Sequence, residues 1–235
     1  MTTAHPRDTI RTRPASASAP LVAALAFTLP FLAGLAGGGA IGDGTYPSPF
    51  AANAEILHYF AHNHDAVVLQ SLLQCVSAVG LLVLAAELAA AASRTEDRAV
   101  LARLIAASGG FAAAFQLLSA LLGWVGVRSA TQASPALVRA LHDLSFLTGG
   151  PGTVLGVGLM TGSAALALST VIPAWTRAAG LVLPAVAVLS LLCLVADQAA
   201  FLLPVARFLG MAWLLLVTVL LSRTRRGAGR EGDGR

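Results

Sequence analysis

Long apolar runs alternate with short polar connections along this chain, and the runs exceed what the core of a water-soluble domain requires. No charged residue stands between Ala15 and Ile41, between Leu104 and Val127, or between Leu144 and Thr176. A helix needs about 20 predominantly apolar residues to cross roughly 30 Å of hydrocarbon, and each of these runs supplies them. The pattern predicts spans over Leu21–Ile41 and Ala66–Ala92, a third ending at Val127, a fourth reaching Ile172, a fifth over Ala179–Ala200, and a sixth ending near Leu221. The expected fold class is therefore all-α, an integral membrane helical bundle of about six transmembrane helices.

The connections refine this picture. Gly42 to Asp65 is the longest, opening with the turn-forming stretch GDGTYPSP. Ser48 before Pro49 predicts a helix start, because proline at the first turn loses no hydrogen bond. The segment carrying Ile56, Leu57, Tyr59 and Phe60 is too short and polar to span and reads as a short interfacial helix. Ala136 to Ile172 is too long for one span and contains GGPG at Gly149–Gly152. A half-helix, a break and then the fourth span is the expected arrangement. Residues 1–20 and 223–235 read as disordered basic cytoplasmic tails flanking a bundle over 21–222. The first run is longer than the 7–15 residues of a signal-peptide core and ends in glycines, so it reads as an uncleaved anchor.

Composition sharpens the membrane reading. The chain is 57% hydrophobic and only 11% charged, against about 25% charged in soluble domains. All 15 basic side chains are Arg. With six spans, 12 of them fall on the side of the two chain ends and three (Arg128, Arg139 and Arg207) on the other. That bias predicts both termini in the cytosol of a cell-membrane protein. Positive charge at helix ends serves topology, so no nucleic-acid partner is expected, and the lipid bilayer is the first partner implied.

Polar residues within this frame are few. Gly34, Gly38 and Gly42 stand four apart, as do Gly152 with Gly156 and Gly158 with Gly162. Small residues at this spacing let helices approach closely, either within one bundle or between copies in a homo-oligomer. Gln70, Gln74 and Gln116 are candidates for interhelical hydrogen bonds, and Glu87 for a pair with Arg94 or Arg103. Cys75 and Cys193 read as small core residues. His58 and His62, four apart, with His64 beyond, have a spacing that suits zinc or copper; solvated or structural histidines are the alternative. His142, Asp143, Arg139, Asp197 and Arg207 fall on the same side of the bilayer. A polar pocket is expected there, or a salt bridge between Asp197 and Arg207 pinning the last hairpin.

The stretches HDLSFLTGGPG (His142 to Gly152) and FLLPVARFLG (Phe201 to Gly210) resemble small polytopic actinobacterial membrane proteins of unassigned function, which implies a plasma-membrane location and no activity. The leading functional expectation is a membrane-embedded binding or regulatory protein whose outward-facing pocket takes a small molecule or lipid. An intramembrane hydrolase or cyclase, metal-dependent in one version, is the enzymatic alternative. A small-molecule transporter using the broken fourth segment is another. No cofactor is legible.

Overall fold

The computed structural model describes residues 18–93, 98–130, 132 and 134–232, with side chains to 224. The expected N-terminal tail and Arg94, one proposed partner of Glu87, lie outside the described residues, apart from the last three residues of that tail. The helices are α1 (Ala19–Ile41), α2 (Asn53–His62), α3 (His64–Ala92), α4 (Ala99–Ser129), α5 (Pro135–Leu147), α6 (Thr153–Ala167), α7 (Ala174–Leu189) and α8 (Leu202–Gly232). A π-helical turn, Thr148–Gly152, joins α5 to α6, and two 3-10 turns, Ser190–Leu194 and Asp197–Phe201, lie between α7 and α8. Six helical stretches are long and apolar enough to cross a membrane, counting α5 through α6 as one. Their outer faces carry bare apolar side chains such as Leu72, Val79 and Val182. Apolar surface on that scale needs lipid, not water, around it. The protein is a multi-pass, all-α membrane bundle.

The spans pack in chain order, α1 on α3, α3 on α4, α4 on α6, α6 on α7, α7 on α8, and α8 back on α1. Association cannot draw on the hydrophobic effect when the surrounding lipid is equally apolar, so it depends on close approach. Small residues provide it at the first four of these seams. A Cβ on Gly80 would strike the backbone of Ala26 and Phe27 in α1. Gly109 lies against Ala85, Gly156 against Ala112, Gly158 against Ala187 and Gly162 against Pro184. The glycines picked out by spacing are thus used inside the bundle. Gly34 and Gly38 face Gln70 of α3, and Gly152 faces Phe115 of α4.

Buried hydrogen bonds stitch the same seams. Ser77 Oγ donates to the Phe27 carbonyl at 2.5 Å, and Gln116 Nε2 donates to Ser77 Oγ at 2.8 Å, linking α1, α3 and α4. Trp213 Nε1 donates to the Thr176 carbonyl at 2.8 Å, tying α8 to α7. Arg98 donates to the Ala167 carbonyl, holding the start of α4 beside the end of α6. Cys193 is buried and Cys75 half-buried, both free thiols. Glu87 is half-buried and forms no ion pair among the described residues.

Four expectations need correction. The fourth segment does not break at GGPG. Pro151 lacks the N–H an α-helix would use, and a π turn absorbs it while the helix continues, with Thr153 Oγ1 donating to the Thr148 carbonyl at 3.0 Å. The interfacial helix begins at Asn53 rather than at Ser48, whose hydroxyl instead accepts from Phe50 N at 3.2 Å in a local turn. The segment from Arg223 to Gly232, expected as a tail, continues α8 as helix. It contains no proline to stop it, and arginine is a good helix former. Finally, Asp197 and Arg207 do not pair. Asp197 is exposed in a 3-10 turn, while Arg207, in the second turn of α8, points toward α1.

Candidate functional site

The spans part at the bundle end opposite the start of α1, and a cavity of about 350 Å³ lies between them. Its floor and far wall are Gln70, Ser71 and Gln74 of α3 with Ser119 and Gly123 of α4. His142, Ser145 and Phe146 of α5 and Gly149 and Gly150 of the π turn form a second wall. Phe31 and Leu35 of α1 face Leu203, Arg207 and Phe208 of α8 across the remaining side. Tyr46, Pro47 and Pro49, from the connection between α1 and α2, cover the mouth.

That connection behaves as a strap, and Arg139 fastens it. The Arg139 guanidinium donates to both carboxylate oxygens of Asp143 at 2.9 Å, to the carbonyls of Pro49 and Ala51 at 2.7 and 3.0 Å, and to Asn53 Oδ1 at 2.9 Å. A planar fork with five donors suits this task, since one side chain satisfies several otherwise orphaned acceptors. The Ser134 hydroxyl caps α5 by accepting from Leu137 N at 3.4 Å, which sets Arg139 and Asp143 one turn apart on the strap side. Asn63, between α2 and α3, holds the other end: its Oδ1 accepts from Asp43 N at 2.5 Å and its Nδ2 donates to the Tyr59 carbonyl at 3.0 Å.

His142 sits under the strap, 2% exposed. Its Nε2 lies 3.3 Å from the Pro47 carbonyl and must donate, because a carbonyl only accepts. Its Nδ1 is buried without a hydrogen bond, 3.6 Å from Asp143 Oδ1. Tyr46 stacks on the imidazole with centroids 5.7 Å apart, and Phe60 meets it edge-on at 5.8 Å. Burial pushes the Tyr46 phenol above its ordinary value, with Tyr59 adding to the rise and a hydrogen bond with Ser145 opposing it. Burial raises Tyr59 as well. Ser119 and Ser145 lock α4 to α5 by reciprocal bonds, each hydroxyl donating to the other's carbonyl at 2.8 and 3.0 Å.

Arg207 is half-buried in the cavity wall, with its guanidinium 5.0 Å from the centre of the Phe31 ring. No carboxylate pairs with it among the described residues. A cation on a ring gains about 0.5–1 kcal/mol when exposed and about 2 when desolvated, while a charge within a membrane span is costly, up to about 2.5–3.5 kcal/mol at a helix centre on insertion scales. The ring offsets part of that cost and leaves the charge without a counter-ion.

Of the residues singled out from sequence, His142 and Arg207 therefore border the cavity, as do Gln70 and Gln74. Arg139 and Asp143 stand behind the strap, and Asp197 is exposed outside it. His58 and His62 stack their rings 4.2 Å apart, and His62 Nδ1 bonds the His58 carbonyl at 2.8 Å. His64 Nδ1 pairs with Asp65 at 3.0 Å. Among the described residues no three His, Cys, Asp or Glu side chains converge as metal ligands. Reading the sequence missed Tyr46, Phe31, Asn63 and the Ser119–Ser145 lock. Only Tyr46 had a local signal, being the lone aromatic in GDGTYPSP.

Compared with protein-family models, curated proteins and solved structures, the chain matches none of them.

Proposed function

We propose that the protein is a membrane-embedded binding protein whose strapped cavity receives a small amphipathic molecule. One observation carries this reading: the bundle leaves about 350 Å³ open where polar and aromatic groups converge, although close packing is what holds membrane helices together. Ligand sites occupy roughly 300–1,000 Å³ and combine apolar walls with a few placed polar groups. Here Gln70, Gln74 and His142 are the polar groups, and Phe31, Phe146 and Phe208 supply apolar wall. The π turn at Gly149 and Gly150 adds support, because such turns concentrate at functional sites.

The arginine distribution supports cytosolic chain ends in the plasma membrane, with the cavity opening to the outer side. A ligand held beneath a strap that Arg139 fastens suits sensing or regulation, since occupancy is coupled to the order of an exposed segment.

The test is to extract the protein directly from its membrane in polymer-bounded discs and identify co-purifying small molecules by mass spectrometry. Gly123→Leu is the control, because a side chain there grows from the cavity edge toward Ser71 and Ser145. A defined molecule retained by the native chain and lost from the folded variant is expected. Identical contents in both would end the proposal.

A further inference from the structure

Resting on that reading, we infer that the cavity selects an amphiphile with one anionic head, carboxylate or phosphate, which Arg207 binds, and an apolar tail that enters sideways from the bilayer between α1 and α8.

Two independent features point this way. The first is charge. Arg207 is the cation in the cavity wall, and no carboxylate stands among the residues around that cavity. The nearest acidic candidates are engaged or remote: Asp143 is held by Arg139, and Asp197 is exposed outside the cavity. The guanidinium leans on Phe31, which leaves its in-plane donors available to an acceptor. Carboxylate and phosphate both match that fork with two parallel hydrogen bonds.

The second feature is the route. The strap closes the mouth through Tyr46 and Pro47, which is fixed to His142. The wall between α1 and α8 is different. Leu35 and Phe208 belong to both the cavity lining and the bare outer surface of the bundle. A molecule dissolved in the membrane meets those two side chains first and Arg207 behind them. Arg207 lies five residues into α8, roughly 7.5 Å along its axis at 1.5 Å per residue. Arg207 thus stands nearer the Asp197 end than the Thr224 end of the last span, where a lipid-borne acid can place its head with its tail still in hydrocarbon.

The experiment uses the full-length protein in a neutral detergent and measures binding by calorimetry. The probes are dodecanoate, dodecyl phosphate, dodecanol and inorganic phosphate, with discs of phosphatidylglycerol or phosphatidylcholine as the lipid arm. Native protein is expected to bind dodecanoate and dodecyl phosphate at least tenfold more tightly than dodecanol. Arg207→Gln should erase that preference, and Arg207→Lys should keep part of it. Arg207→Gln also removes a partly buried charge, so loss of fold is not the expected reason for lost binding, and retained dodecanol binding verifies this. A phosphatidylglycerol preference that depends on Arg207 would identify a membrane lipid as the source of the head group. If it is absent while dodecanoate binds, the source is a free acid.

Equal binding of dodecanol and dodecanoate, unchanged in Arg207→Gln, would overturn the anionic selectivity and leave the cavity as a neutral binding site. Inorganic phosphate binding as tightly as dodecyl phosphate would overturn the tail and its lateral entry. Silence from every probe and from both kinds of disc would overturn this inference together with the binding function itself.

Discussion

The two ends of the bundle are built differently. At the end where α1 begins, Leu81, Leu84, Leu88, Ile105, Met160 and Leu214 are sealed in one core, and helices cross through Gly80 and Gly109 almost backbone to backbone. At the opposite end a cavity lies between the spans beside a smaller apolar cluster of Ile56, Phe60, Val67, Val127 and Val138, and Arg139 holds a strap across it. Lipid gives helices little reason to associate except fit, so the first end secures the fold and permits the second to stay open. Space in a membrane bundle is costly to keep, and here polar groups surround it.

This contrast can be broken from either side. The largest effect is expected from Gly80→Val, whose side chain would collide with the α1 backbone. The cost should lie near the top of the about 1–3 kcal/mol range for overpacking, read from detergent unfolding midpoints. Gly123→Ala, where a Cβ would sit an ordinary 3.4 Å from Ser71 Oγ, should be neutral or slightly stabilising. Equal losses at both sites would abolish the distinction between a tight and an open end.

Arg139→Ala comes next. It removes every strap bond that the guanidinium makes and leaves Asp143 unmatched. Amide exchange over residues 47–53 should quicken at least tenfold, about 1.4 kcal/mol of local opening, while exchange in α4 near Ile105 stays unchanged. A uniform rise across the whole protein would mean that the strap and the core unfold as one unit.

Alkaline pH should act on the same end more gently. The Tyr46 phenol is raised by burial, so the folded state keeps its proton more firmly than the unfolded chain does. This contribution is whole below about pH 10, the ordinary tyrosine value, and fades as pH rises through the folded value. Tyr46→Phe should flatten the alkaline loss, measured as melting temperature against pH. An unchanged slope would show that the phenol is not enclosed.

The smallest change belongs to Gln116→Leu in the tight end. Interhelical hydrogen bonds in membranes average about 0.6 kcal/mol, and Ser77 keeps its bond to Phe27 without Gln116. A loss above about 2 kcal/mol would mark the Phe27–Ser77–Gln116 chain as a main fastening.

Spans were legible because their signal is local: uninterrupted apolar length decides them, residue by residue. The cavity was only partly legible because it depends on which side of each helix faces inward. Charge drew attention to His142 and Arg207, and both border it. The same charge drew attention to Asp197, which no local rule distinguishes from an exposed loop acid. Phe31 and Ser119 look like any membrane phenylalanine or serine until the bundle closes. The π turn was misread as a break because GGPG signals a lost hydrogen bond but not how a buried helix repairs it.

That turn has a consequence for how the protein tolerates length changes. A π turn amounts to one residue inserted into an α-helix, and it shifts the phase of α5 by about 100° relative to α6. Deleting Gly150 would remove that extra residue at no loss of hydrophobicity, but it would set Pro151 inside a plain α-helix, where its missing N–H and ring clash cost about 3 kcal/mol. It would also swing His142 and Ser145 away from α3 and α4 while Gly156 and Gly158 kept their seats. A one-codon deletion in this segment would thus keep the apolar length of the span while straining the helix at its proline and displacing the wall of the cavity.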